Sequence, residues 1–168
     1  MMIWIILAAI AAITATFALI YMSIIDLRER ILPNKLNLLL AVCGVVFHTS
    51  LGFALLPPYM MILGALAGGG VLYAIRAVSN HIYGMETLGL GDVKLLAAGG
   101  IWLGPQNTMM ALSIGALAGL LHGFLYIVYQ KIRHSEDVAF RGLTIPAGPG
   151  FATGLFAVAC WHYGYALL

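Results

Sequence analysis

Two aspartates stand out among the residues able to do chemistry. Asp92 closes the run Gly89-Leu90-Gly91-Asp92 and is followed by the apolar residues Val93, Leu95, Leu96, Ala97 and Ala98. Asp26 sits at the end of another apolar run, the one that begins the chain. A carboxylate beside lipid costs about 2.5–3.5 kcal/mol on insertion scales, so each acid is a functional-site candidate by default. Two such acids from different spans can divide acid and base work. Like charges about 3 Å apart do not both ionise, and the pair then shares one proton. The deprotonated member draws a proton from a water that attacks a peptide carbonyl, and the protonated member donates to the carbonyl oxygen. The roles then reverse to release the amine. For Asp26 a second reading stays open, an acid solvated at a helix end beside Arg28 and Arg30.

The elements that must position these acids are membrane helices. Of 168 residues, 62% are hydrophobic and 8% charged, with a mean hydropathy of +1.01. A soluble domain carries roughly 25% charged residues. There is too little polar surface to cover a water-soluble globule. The expected fold is all-α, a polytopic membrane helical bundle forming a single membrane-embedded domain over residues 1–168. Apolar runs fall at 1–25, about 36–56, about 59–78, a short one from Asp92 to near Leu103, about 107–129 and 143–167. They predict about six transmembrane helices. The first run has no basic leader region and reads as a retained span.

Charge placement orients the bundle. The eight basic residues fall in three connecting segments: Arg28, Arg30 and Lys35; Arg76 and Lys94; Lys131, Arg133 and Arg141. With six spans these segments share one side, which the positive-inside bias makes the cytoplasm, and both termini lie outside it. A net charge of +2 offers no argument for nucleic acid. Cys43 and Cys160 fall inside predicted spans and read as small buried residues. No Cys-x-x-Cys or His-Glu-x-x-His pattern occurs, so no metal and no cofactor is expected. His48, His122 and His162 stand singly in apolar runs and read as core histidines with satisfied hydrogen bonds.

A helix from Asp92 to Leu103 would be about 18 Å long, short of a hydrocarbon core of about 30 Å. Either the glycine segment dips into the membrane, or the bilayer is thin there, or the helix starts earlier. Pro33-Asn34 marks the boundary between the first two helices. Pro146-Ala147-Gly148-Pro149 opens the sixth run, as an irregular segment facing the acids or as a plain helix start. Gly64, Gly68, Gly69 and Gly70, and likewise Gly115, Gly119 and Gly123, read as stripes that let helix backbones approach closely.

In this order, Asp26 with Pro33-Asn34, Gly89-Leu90-Gly91-Asp92-Val93-Lys94 and Pro146-Ala147-Gly148-Pro149 resemble the type IV prepilin peptidases. These are membrane aspartic peptidases of the Gly-x-Gly-Asp class. The resemblance spans essentially the whole chain. It implies that Asp26 and Asp92 are the catalytic pair. It also implies that Gly89, Gly91, Lys94, Pro33, Asn34, Pro146, Gly148 and Pro149 support the site or the substrate. The implied partner is a prepilin or pseudopilin whose basic leader precedes an apolar helix and is cleaved at the cytoplasmic face of a bacterial inner membrane. Glu29, Glu86, Glu136 and Asp137 are then candidates to meet that leader. Larger bifunctional members add an N-terminal region with paired Cys-x-x-Cys motifs and N-methylate the new terminus. This chain looks like the short form, so peptide hydrolysis alone is expected. Where that family often has Pro-Phe-Gly-Pro, this chain has the smaller Ala147. Neither composition nor motif sets an oligomeric state.

A different class of function uses the same acids. A small proton- or cation-coupled transporter or channel subunit would place Asp26 and Asp92 on an ion path. Both acids lie toward one face, with no Lys, Arg, Asp or Glu on the far half of any span, so no crossing path is visible.

Overall fold

The computed structural model describes residues 2–86, 88–134 and 147–166, which form five α-helices and, among the described residues, no strand. They are α1 (Met2–Glu29), α2 (Asn34–Ser50), α3 (Pro58–Tyr83), α4 (Leu90–His134) and α5 (Gly148–Ala166). Three segments are long and apolar enough to cross a membrane: Met2–Glu29, Pro58–Tyr83 and Leu90–Leu125. The all-helical membrane architecture expected from composition is therefore present.

The outer helices α1 and α3 each bury one narrow stripe, whereas the first arm of α4 is buried nearly all round from Leu95 to Gly104. In α1 the stripe is Ala8, Ala11, Ala15, Ala18, Met22 and Asp26, at steps of three and four. Ile10, Ile13, Phe17 and Ile20 point outward. The stripe is built from alanines because small side chains let helices close up where no water drives them together. Asp26 continues it by one turn and so faces protein. α3 repeats the pattern with Met61, Gly64, Gly68, Leu72 and Arg76. Gly64 meets Gly100 of α4 so closely that a Cβ on either would overlap the other's carbonyl oxygen. Gly70 has open space around it and takes no part in the stripe.

The fourth and fifth predicted runs both lie in α4, which breaks at Gly104 (φ 71°, ψ 175°) just before Pro105. A left-handed φ of this kind suits a residue without a Cβ. The break reverses the chain. A Cβ on Gly68 would lie 2.5 Å from the Leu96 carbonyl oxygen and 2.8 Å from Thr108 Cγ2. On a straight helix those two residues would be about 18 Å apart along the axis. Two arms of α4 therefore lie against α3, and α5 packs on both, Leu155 at Gly99 and Gly154 at Ala111.

A helix break inside an apolar bundle frees carbonyls that lipid cannot satisfy. Side chains take them up here. The Thr108 hydroxyl donates to the Gly104 carbonyl, Asn107 Nδ2 to Leu103 at 3.3 Å, and Tyr163 Oη to Trp102. His48 Nε2 stands 3.2 Å from the same Trp102 oxygen. His48 is thus a core histidine on its Nε2 side, while its Nδ1 has no hydrogen-bond partner among the described residues. His162 is hydrogen-bonded as expected, its Nδ1 joined to this cluster through Asn107 at 3.1 Å, whereas His122 is exposed and so departs from the expectation of a core histidine. The second correction is Cys160, which is exposed because it lies off the face formed by Phe151, Leu155 and Val158; Cys43 is buried.

Replacing Thr108 by Val removes this hydrogen bond and should cost about 0.5–1.5 kcal/mol, the net worth of one such bond. Gly64→Leu should destabilise by at least as much through overpacking, about 1–3 kcal/mol, whereas Gly70→Ala should not. Thermal unfolding in detergent measures all three.

Candidate active site

Asp26 and Asp92 come from helices far apart in sequence and are both buried, 6% and 8% exposed. Their carboxylates lie within electrostatic reach of each other. The two acids predicted from the sequence are thus together at one end of the bundle. Arg28, Arg30 and Lys35 follow Asp26 in the chain, and Lys94 follows Asp92.

Asp26 is held from α5. The backbone N–H of Gly148, the first residue of that helix, donates to Asp26 Oδ2 at 3.0 Å. The positive end of the α5 dipole faces the carboxylate, a favourable placement for negative charge. A Cβ at position 148 would lie 2.6 Å from the same oxygen, so this approach requires glycine. Of the Pro-Ala-Gly-Pro segment, Gly148 therefore touches an acid directly, Pro149 occupies the first turn of α5, and Pro146 lies outside the described residues.

Asp92 is held by its own helix start. α4 begins at Leu90, two residues before Asp92, so the helix starts slightly earlier than the aspartate. Gly89 takes the capping position, and its backbone N–H bonds back to the Asp92 carboxylate. That is half of a capping box, with the acid at the third helical residue. Asp92 Oδ1 has no hydrogen-bond partner among the described residues. Capping thus occupies one side of the carboxylate and leaves the other free for chemistry.

The remaining support residues tie this turn to α2. Gly91 packs on Leu32, where a Cβ would come within 2.7 Å of Leu32 Cβ. Lys94 Nζ donates to Asn34 Oδ1 at 2.8 Å. Pro33 supplies the carbonyl that accepts from the Leu36 and Asn37 amides and opens α2. The Pro33-Asn34 pair is more than a helix boundary, because Asn34 is the partner of Lys94.

Arg76 braces the segment ahead of the site, although from the sequence it reads only as a marker of topology. It is 8% exposed, on the buried stripe of α3. Its Nη2 bonds Glu86 Oε1 at 2.6 Å and its Nη1 reaches the Leu88 carbonyl at 3.4 Å. Both partners lie in the segment leading into Gly89. The four-residue step from Leu72 to Arg76 was the available signal. Glu86, a candidate to meet a basic leader, is paired with Arg76, although its side chain is 82% exposed. Glu29 is exposed at the end of α1, and Glu136 and Asp137 lie outside the described residues.

Asn37 was also missed. Its side chain is 4% exposed, and both amide atoms lack a partner among the described residues. It sits one turn into α2 from Asn34.

Gly148→Ala should lower stability by about 1–3 kcal/mol through its clash with Asp26. Combining it with Asp26→Ala should recover most of that loss, a coupling that a double-mutant thermal unfolding cycle detects.

Residues 12–124 match the type IV leader peptidase family. That stretch contains Asp26, Pro33-Asn34 and the whole Gly89–Lys94 run. The prepilin leader peptidase/N-methyltransferase of Escherichia coli (strain K12) is 37% identical over 133 residues, covering 79% of this chain and 55% of that protein. The protein of the same name from Burkholderia pseudomallei (strain K96243) is 35% identical over 147 residues, 88% of this chain and 45% of that one. For Aeromonas hydrophila the figures are 34% over 139 residues, 83% and 47%. The chain spans about half the length of the curated relatives it matches. No solved structure matches it. With a match over most of its length and these relatives beside it, the chain belongs to the type IV leader peptidase family.

Proposed function

We propose that this chain is a membrane-embedded aspartic endopeptidase, a single catalytic domain that removes the basic leader of prepilin-like proteins. The observation that carries the reading is the pairing of two buried aspartates, one from α1 and one from α4, in a chain of this family. Relatives named prepilin leader peptidase supply the substrate class. The family match lends nothing to an ion-path reading of the same acids. The buried polar groups at the Gly104 break also have a structural task there.

In the proposed reaction the carboxylate pair holds one proton. The ionised member takes a proton from water as the water oxygen attacks the scissile carbonyl carbon. The protonated member gives its proton to the carbonyl oxygen, forming a tetrahedral diol. Collapse of that species breaks the C–N bond: the second aspartate takes back a proton from one diol hydroxyl as the C=O re-forms, and the first aspartate gives its proton to the leaving amine. Gly148 N–H steadies Asp26 through this cycle, and the Gly89 cap steadies Asp92. No metal or cofactor enters.

The reading also sets topology. With the arms of α4 taken as two spans, the proposed topology has six crossings, with both termini outside the cytoplasm of a bacterial inner membrane. The dyad then lies at the cytoplasmic end, beside the basic segments. A substrate with its apolar helix in the bilayer and its leader in the cytoplasm presents its cleavage site there.

Asp26→Asn and Asp92→Asn should each reduce leader cleavage of a co-expressed prepilin by about 10²–10⁴-fold, the usual range for lost acid–base catalysis. Membrane insertion should be normal. Full processing by either variant would contradict the assignment.

A further inference from the structure

A crevice between α1 and α5 leads to the acids. It consists of two adjoining cavities of about 400 and 180 Å³, which share Thr16, Leu19 and Phe156 as walls. Leu40, Gly99 and Trp102 form the floor of the larger one. The smaller one ends at Ser23 and Ala152. Ser23 is one helical turn from Asp26, and Ala152 is one turn from Gly148, the residue bonded to Asp26. From Ala12 to Ser23 the crevice follows α1 for about 16 Å, or three helical turns.

Its chemistry restricts the occupant. Four hydroxyl residues line it, and each is spent inside the protein: Thr16 donates to Ala12 at 2.9 Å, Ser23 to Leu19 at 2.8 Å, Thr153 to Pro149 at 2.7 Å and Tyr163 to the Trp102 carbonyl. None of these hydroxyls turns toward the occupant. An extended peptide would carry unsatisfied backbone groups into such an apolar cleft, whereas a helix satisfies its own. The walls are low where a helix would lie, with Ala12, Ala15, Ala159 and Gly164 allowing close approach. Phe156 and Cys160 are exposed, so the crevice is open sideways rather than sealed. A lipid tail would meet the apolar requirement, but it brings no peptide bond to the Ser23–Ala152 end, which lies one helical turn short of Asp26 and Gly148.

We propose that this crevice is the docking groove for the apolar helix of the substrate. The helix is admitted sideways from the bilayer and seated so that the backbone just beyond its end reaches Asp26 and Asp92. The assignment rests on the peptidase reading. It adds the surface that fixes which bond is cut: helix register in the groove sets the residue delivered to the acids.

Cys160 at the mouth of the crevice is a native probe, and Cys43→Ser leaves it the sole thiol. In that chain, with Asp26→Asn added to hold the substrate, single cysteines are placed through the first three turns of the apolar helix of a prepilin. The membranes are then oxidised. Disulfides to Cys160 are expected at positions three or four apart, on one face, and absent between them. Disulfides at all positions alike, as a lipid-filled crevice with passing contacts would give, or at none, overturn the groove. Cleavage of the same prepilin by the unaltered chain is scored in parallel. Intact cleavage without face-specific disulfides removes the groove and leaves the peptidase reading standing, while absent cleavage removes both. Ala159→Phe, which fills the crevice, should raise KM for the prepilin about tenfold or more. An unchanged KM with normal insertion contradicts the groove.

Discussion

Lipid offers no hydrogen bonds, so a backbone group or charge carried into this bundle is costly unless another part of the protein meets it. That constraint shapes both ends of the molecule. At one end the Gly104 break exposes carbonyls, and Thr108, Asn107, Tyr163 and His48 converge on them. At the other end two carboxylates are buried, and the backbone amides of Gly148 and Gly89 come to them. The first cluster makes the fold possible, and the second makes a site.

The site depends on all five helices. α1 supplies Asp26 because its alanine stripe continues for one more turn. α5 supplies the amide at its first residue, where only glycine fits. α4 supplies Asp92 as part of its own cap, and α2 braces that cap through Asn34 and Lys94. α3 contributes Arg76, a buried guanidinium that fixes the segment ahead of Gly89. A carboxylate used for capping is held in one orientation, which suits it to chemistry at its other oxygen. Capping and acid–base roles for Asp92 are therefore compatible.

Much of this was legible in the sequence because lipid imposes strict rules. An acid among apolar residues, with basic residues confined to three segments, announces a membrane bundle and marks Asp26 and Asp92. The reversal at Gly104-Pro105 was visible as a boundary between two runs. Other features depend on long-range contact and leave little local trace. Nothing near Asn34 announces Lys94, and nothing near Gly148 announces a carboxylate from position 26. Arg76 was counted as a surface charge because its stripe is read only once Gly64 and Gly68 are known to face α4. His48 and His162 looked solitary because residues more than a hundred positions apart in the chain meet at one break. Cys160 looked buried because an apolar run does not tell which of its faces meets protein.

A kinetic double-mutant cycle asks whether the two aspartates act as one unit. Rates of leader cleavage are compared for the purified chain, Asp26→Asn, Asp92→Asn and the double variant. Groups that work as a unit are strongly non-additive, so the double variant should be no slower than the slower single one. Losses that multiply, each aspartate contributing independently, would contradict the shared site.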